Sequence, residues 1–107
     1  GLLTGKYIGN KIPDGSRLSR DDKIRKIVNE NSDLAVKSYY SLAGKYNIDP
    51  VHMSLAFCNE RPFMGSVIFG ATDITQLRKI LAGINLKLDT EINDEIQILY
   101  KKFPLTF

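Results

Sequence analysis

One short apolar run stands among four helix-like stretches, and this imbalance constrains the fold more than any other feature. The run, residues 63–69 (Phe-Met-Gly-Ser-Val-Ile-Phe), is partly β-branched and predicts a buried strand. Val67 and Ile68 lie on opposite faces of such a strand, so both faces would be covered, as in a parallel sheet. A lone buried strand leaves its backbone N–H and C=O groups without partners. The sequence therefore predicts an α/β protein whose other strands lie in polypeptide beyond this chain.

Four stretches carry apolar residues at the spacing of one helix face. The positions predicted to face the core are Ala35, Tyr39, Leu42, Ala43 and Tyr46 in the first stretch, Met53, Leu55, Ala56 and Phe57 in the second, and Ile92, Ile96, Leu99, Tyr100 and Phe103 in the last. In the third stretch Ile74, Leu77, Ile80, Leu81 and Ile84 mark an amphipathic helix. Each stretch follows a residue that can cap a helix: Ser32 or Asp33, then Asp49, Asp73 and Asp89. The chain by itself is therefore predicted to be predominantly helical.

The formal net charge of +3 is concentrated at the start of the chain. Residues 1–30 hold more Lys and Arg than Asp and Glu, whereas the remainder is neutral. Residues 8–31 lack sustained periodicity and contain the turn sequence Pro13-Asp14-Gly15-Ser16, so we expect a long, mobile loop. A basic loop attracts phosphate-bearing ligands, nucleic acid among them. A solvated loop with no specific partner is an equally good interpretation.

Composition narrows the possible classes of protein. No apolar stretch approaches the ~18 residues that span a bilayer, which predicts no membrane segment. Cys58 is the only cysteine, so an internal disulfide and a zinc site built from several cysteines are excluded, and we expect a reducing, cytoplasmic location. His52 is the only histidine and has no carboxylate or cysteine partner at helical spacing, so we interpret it as structural.

The stretch from Ser66 to Leu77 is the most informative for function. It predicts a strand, a turn at Gly70, and a helix capped by Asp73 with Gln76 three residues later. This layout presents free backbone N–H groups and the positive end of a helix to a phosphate. Every β–α unit has such a turn, so a phosphate site and an ordinary connection both stay open at this point.

Three segments, in this order and spacing, are typical of one known family. They are residues 1–7 (Gly-Leu-Leu-Thr-Gly-Lys-Tyr), residues 49–57 (Asp-Pro-Val-His-Met-Ser-Leu-Ala-Phe) and residues 68–77 (Ile-Phe-Gly-Ala-Thr-Asp-Ile-Thr-Gln-Leu). They resemble the segment after barrel strand seven, the start of the seventh large helix, and strand eight with its turn and helix. Over nearly its whole length, the chain resembles the C-terminal portion of the aldo-keto reductases, in the NADP(H)-dependent bacterial branch related to the potassium-channel β-subunits.

The resemblance implies part of a (β/α)₈ barrel that binds NADP(H) and a small carbonyl substrate at the C-terminal face of its strands. The cofactor-binding positions that it assigns are Gly70, Ala71, Thr72, Gln76 and Lys79 on the side of the adenosine 2′-phosphate, and Leu3, Thr4, Gly5 and Lys6 on the pyrophosphate side. Lys79 and Ile80 stand where family members often carry Glu and Asn, so the adenine contacts of the family are not reproduced. The tail, residues 103–107, resembles the segment that helps to wall the substrate pocket in this family, but plain packing is the favoured interpretation of it.

The family's catalytic Asp, Tyr, Lys and His come from earlier barrel strands, which precede this chain. A (β/α)₈ barrel needs ~200 residues, so we expect the isolated chain to be inactive and to bind NADP(H) at most weakly. The favoured hypothesis is a C-terminal fragment of an NADPH-dependent oxidoreductase of aldehydes or ketones. Two alternatives stay open: a basic helical module that binds nucleic acid through residues 6–26, and a non-catalytic remnant that self-associates through exposed barrel faces.

Overall fold

The computed structural model describes residues 1–104, apart from the side chain of Ile24, and in this range the chain is helical with no β-strand. Two short 3-10 helices, Leu2–Thr4 and Ile8–Asn10, come first. The α-helices are α1 (Arg17–Arg20), α2 (Asp22–Arg25), α3 (Glu30–Lys45), α4 (Pro50–Asn59), α5 (Ile74–Ala82) and α6 (Thr90–Lys102). The predominantly helical character expected of the chain is confirmed.

Side-chain caps begin three of the four long helices where the sequence predicts them. Asp49, Asp73 and Asp89 each accept a hydrogen bond from a backbone N–H in the first turn of α4, α5 and α6. The predicted cap of α3 was wrong, because Asn29 caps this helix. Asn29 Oδ1 accepts from the N–H of Ser32, and Ser32 Oγ accepts from the N–H of Asn29, both at 2.9 Å. This reciprocal capping box satisfies two orphan donors at once and starts the helix earlier.

The core lies between α3, α4 and α6. Its buried members are Leu42, Ala43, Met53, Ala56, Leu88, Ile92 and Ile96. Tyr39, Tyr46, Phe57 and Leu99 pack against it as half-buried neighbours. The predicted core faces of these helices are largely confirmed. Tyr100 is the exception, with 57% of its surface exposed.

Polar side chains join the helices around this core. Glu95 of α6 takes an ion pair from Lys45 and a hydrogen bond from Tyr46 Oη at 2.5 Å, which joins α6 to the end of α3. Arg61, just after α4, donates to Asn93 Oδ1 of α6 at 3.1 Å and stacks on the Phe57 ring at 4.2 Å. Charge-assisted contacts therefore join α6 to both neighbouring helices in addition to apolar burial.

The expectation of a buried strand at residues 63–69 was wrong. Phe63 is 82% exposed and Ile68 is 94% exposed. The backbone from Ser66 to Ala71 has no regular secondary structure and no sheet partner within residues 1–104. A strand needs a neighbouring strand to accept its hydrogen bonds, and the described residues offer none. The segment therefore runs over the surface, and the α/β character predicted from the sequence is absent from this part of the chain.

Helix α5 is the least packed of the long helices. None of its residues is buried, and Ile74 is 60% exposed. Of its apolar stripe, Leu77 and Ile80 are half-buried, and the other members face solvent. The helix also ends at Ala82, earlier than the apolar stripe, which continues to Ile84.

Residues 8–31 are a largely irregular segment that contains two short helices. The two four-residue helices α1 and α2 lie here, and Leu18 of α1 is buried. Tyr7, just before the segment, is buried as well. Asp33 of α3 accepts a hydrogen bond from the N–H of Gly9 at 2.7 Å, which ties the segment to the long helix. The mobility of residues 8–31 stays a prediction.

Candidate functional site

The turn before α5 brings together two of the residues that the sequence assigns to a phosphate. The backbone N–H and the hydroxyl of Thr72 both donate to Gln76 Oε1, at 3.1 and 3.2 Å. Both residues are exposed, and so are Gly70 and Ala71. The turn is thus ordered by its own side chains, with polar groups facing solvent at the positive end of a helix.

The same turn holds the carboxylate of Asp73, which the sequence predicts only as a helix cap. Asp73 Oδ1 accepts from the N–H of Gln76 at 2.8 Å, and Asp73 Oδ2 accepts from Gln76 Nε2 at 2.7 Å. A phosphate that approached this helix end would compete with the carboxylate for the same donors and would be repelled by its charge. The sequence could have indicated this competition, because the aspartate that caps a helix is an anion at the place where an external anion would bind.

Lys79 lies one helical turn beyond Gln76 and is engaged elsewhere. Its Nζ forms an ion pair with Asp49 Oδ2 at 3.0 Å, and its carbonyl oxygen lies 2.6 Å from His52 Nε2. Burial raises the pKa of Asp49, but the hydrogen bonds from Lys79 and from the N–H of Val51 outweigh it and lower that pKa overall. A carbonyl can only accept, so His52 Nε2 carries a proton in this contact. His52 therefore has the structural role expected of it, joining α4 to α5.

Leu3, Thr4, Gly5 and Lys6 form a second, separate group. Gly5 has a left-handed backbone conformation at φ 76°, and the Tyr40 ring lies so close that a Cβ at Gly5 would overlap it. Tyr40 Oη donates to the carbonyl oxygen of Thr4 at 2.5 Å, and Lys6 Nζ lies 5.2 Å from the centre of the Tyr7 ring. Within residues 1–104, no hydrogen bond or ion pair joins this group to the turn at 70–76.

A groove between α3 and α6, which the sequence does not reveal, offers about 310 Å³ of space. It is lined by Ser38, Ser41, Leu42, Lys45, Glu95, Ile98 and Leu99. The hydrogen bond from Lys45 holds the pKa of Glu95 below its ordinary value, and the hydrogen bond to Glu95 raises the pKa of Tyr46. These shifts stabilise a charged pair and a neutral phenol, which is the state of a structural contact rather than of an activated nucleophile.

Two further observations concern metals and membranes. Among residues 1–104, no three His, Cys, Asp or Glu side chains gather as metal ligands would. No helix in this same range combines the length and the apolarity that crossing a membrane requires.

Comparison with known proteins identifies the family. The family model described as "Aldo/keto reductase family" matches residues 1–101. Protein tas of Escherichia coli (strain K12) is 31% identical over 103 residues, which are 96% of this chain and 30% of that protein. An aldo-keto reductase of Babesia bovis is 32% identical over 102 residues, covering 87% of this chain and 36% of that protein.

A further relative is similar to the potassium-channel β-subunits, to which the family branch named above is related. A probable voltage-gated potassium channel subunit beta of Oryza sativa subsp. japonica is 26% identical over 110 residues, covering 97% of this chain and 33% of that protein. The chain thus spans about a third of the length of the relatives it matches. The match over residues 1–101, with two relatives above 30% identity, leads to one conclusion: the chain belongs to the aldo/keto reductase family.

Proposed function

We propose that this chain is the cofactor-phosphate-binding portion of an NADPH-dependent oxidoreductase that reduces aldehydes or ketones, and the last part of a (β/α)₈ barrel. The observation that carries the proposal is the family match over residues 1–101. The relatives are about three times longer than the matched region, so the activity of the whole protein is part of the proposal. The free thiol of Cys58 fits the reducing, cytoplasmic location that we propose with it.

We propose that the turn at 70–76 takes the phosphate of NADPH once the Gln76 side chain moves, although the Asp73 carboxylate beside it opposes binding. Gln76 Nε2 now donates to Asp73, and its Oε1 accepts from Thr72. Rotation of the Gln76 side chain would free the Thr72 hydroxyl and N–H and would turn the amide donor outward. These are neutral donors, each contributing on the order of 1 kcal/mol to a phosphate contact. Gly70 and Ala71 add no long side chain, so their backbone would lie close to the nucleotide.

The remaining residues of the proposed site have more distant roles. Leu3, Thr4, Gly5 and Lys6 would line the pyrophosphate side. Lys79 would reach a phosphate only by leaving Asp49, so we assign it a weaker contribution. NADPH, when bound, supplies the hydride that reduces the carbonyl group.

Protonation of the product oxygen is assigned to residues outside this chain. The single histidine, His52, is held by the Lys79 carbonyl in a helix-to-helix contact. Its surroundings do not make it a proton donor to a substrate. We therefore propose that the isolated chain has no carbonyl reductase activity. Steady-state oxidation of NADPH with a panel of aldehydes and ketones should not exceed the rate without protein.

Binding of the cofactor can be tested on the chain as it is. In an NMR titration we expect NADPH to shift the amide signals of residues 70–76, with millimolar or weaker affinity, about 4 kcal/mol. NADH, which lacks the 2′-phosphate, should shift them less. The variant Gln76→Leu should abolish the difference between the two nucleotides, whereas Gln97→Leu, on the exposed side of α6, should not. Shifts confined to residues 6–26 would contradict the proposal and would favour the nucleic-acid module.

A further inference from the structure

One side of helix α6 exposes an isoleucine between an acidic and a basic group. Ile98 is 64% exposed. Asp94 lies one turn before it, Lys101 and Lys102 lie one turn after it, and all three are exposed as well. The spacing i, i+4, i+7 and i+8 places these four residues within one third of the helix circumference. We call them the α6 stripe.

The charges of the α6 stripe are not used inside the described part of the chain. Asp94 and Lys101 make no ion pair or side-chain hydrogen bond with any of residues 1–104. Lys102 lies over the ring of Phe103, 5.4 Å from its centre. The helix dipole favours acidic residues near the start of a helix and basic residues near its end. That preference gives no reason for an isoleucine between them to face solvent, so the stripe has the character of an interaction surface.

The α6 stripe is complementary to a reversed copy of itself. In a dimer with a two-fold axis, the same patch of both copies meets, so that the interface must be self-complementary. When the axis passes beside Ile98, the two α6 helices run antiparallel and the two Ile98 side chains meet. Asp94 lies about 6 Å before Ile98 along the helix and Lys101 about 4.5 Å after it. Asp94 of each copy therefore lies nearly level with Lys101 of the other, and two equivalent ion pairs flank the isoleucines.

The groove between α3 and α6 gives the isoleucine of a second copy a place to pack. Ile98 and Leu99 line this groove of about 310 Å³ on the side of α6. On the side of α3 it is lined by the small side chains of Ser38 and Ser41 and by the buried Leu42. The groove is larger than an isoleucine side chain, so the Ile98 of a second copy can enter it and lose its exposure to water.

We propose that the α6 stripe binds a second copy of this chain in a symmetric dimer, with the Ile98 side chains packed at the groove and with reciprocal ion pairs between Asp94 of one copy and Lys101 of the other. The face of a single helix is small beside the about 800 Å² per partner of a standard stable interface, so the dimer is weak and forms at high protein concentration. The stripe shares no residue with the proposed cofactor site, so the dimer does not depend on the proposed function.

Charge reversal tests the arrangement of the two helices. Sedimentation velocity over a range of concentrations gives the dissociation constant of the dimer. Asp94→Lys and Lys101→Glu should each raise it by roughly tenfold or more, because each change places like charges at both ion pairs. An equimolar mixture of the two variants should dimerise like the wild type. In that mixture the new lysine of one variant faces the new glutamate of the other, and the unchanged Asp94 faces the unchanged Lys101. This recovery also shows that both variants are folded.

Matched variants outside the α6 stripe keep the result specific. Lys87→Glu makes the same change of charge at an exposed residue just before α6 and should leave the dissociation constant unchanged. Ile98→Asp should dissociate the dimer, whereas Ile68→Asp, at an isoleucine that is 94% exposed elsewhere, should not. A chain that stays monomeric up to millimolar concentration overturns the proposal. So does a dimer that Ile68→Asp dissociates and Ile98→Asp leaves intact, or a mixture of the two charge-reversal variants that stays monomeric. None of these readouts involves NADPH, so the dimer and the proposed function can fail separately.

Discussion

The contact between Gly83 and His52 makes a strong prediction about how α5 is held. Gly83 is buried at the end of α5, and a Cβ at this position would overlap the Cγ, Cδ2 and Nδ1 atoms of the His52 ring. The same ring contacts the Lys79 carbonyl through Nε2 at 2.6 Å. Gly83 has φ −101° and ψ 7°, a conformation open to alanine. Steric overlap is therefore the only reason for Gly83→Ala to be unfavourable.

The expected loss of unfolding free energy in Gly83→Ala is the sum of a lost hydrogen bond and the cost of overpacking. Displacing the His52 ring loses its hydrogen bond, about 1 kcal/mol, and overpacking costs typically ~1–3 kcal/mol. We expect Gly83→Ala to lower the free energy of unfolding by about 2–4 kcal/mol. In a His52→Ala background the ring is gone, so the same change should be neutral or should stabilise by about 0.4–1 kcal/mol through the unfolded chain. The two substitutions should therefore couple strongly.

Urea unfolding followed by far-UV circular dichroism measures the four free energies of this double-mutant cycle. The control is Gly44→Ala, since Gly44 lies in α3 and a Cβ there would meet open space. That change should stabilise the chain, because alanine favours a helix over glycine by up to about 1 kcal/mol. Additive effects of Gly83→Ala and His52→Ala, within ~0.5 kcal/mol, would refute the claim that the ring occupies the space beside Gly83.

Three further predictions concern the turn before α5, the first 3-10 helix and the α3–α6 contact. Asp73→Asn keeps an oxygen that can cap α5 but removes the negative charge, so NADPH should bind several-fold more tightly in an NMR titration; unchanged affinity would contradict the charge repulsion inferred above. Gly5→Ala should lower the free energy of unfolding in urea by at least about 1 kcal/mol more than Gly9→Ala, because both glycines have positive φ but only Gly5 is packed against Tyr40; equal losses would contradict that packing. The pKa of Glu95 is lowered in the folded chain, so its contribution to stability is fully present well above the ordinary value of 4.5 and is lost as the pH falls through the folded pKa. The difference in unfolding free energy between the wild type and Glu95→Gln should accordingly shrink in urea titrations below pH 4.5, and a constant difference would refute the ion-pair assignment.

The sequence alone was sufficient to predict the helix caps, the apolar faces of the core helices and the family. The caps at Asp49, Asp73 and Asp89 were predicted correctly because a capping side chain and its N–H partners lie within three residues of each other. The core helices followed from spacing alone, since a stripe such as Ile92 and Ile96 needs only one apolar neighbour to become buried. Motifs at 1–7, 49–57 and 68–77 were sufficient to indicate the family, which the match over residues 1–101 bears out.

Contacts between residues far apart in the chain decided whether residues 63–69 form a strand and what Lys79 binds. The run at 63–69 has the composition of a buried strand, yet a strand exists only where a second backbone accepts its hydrogen bonds, and residues 1–104 contain none. The pairing of Lys79 with Asp49, 30 positions earlier in the chain, diverts a residue that its motif assigns to the cofactor. Whether an apolar stripe or a charged side chain serves packing or a ligand depends on which surfaces meet in space, and that choice is made by the tertiary contacts rather than by local propensity.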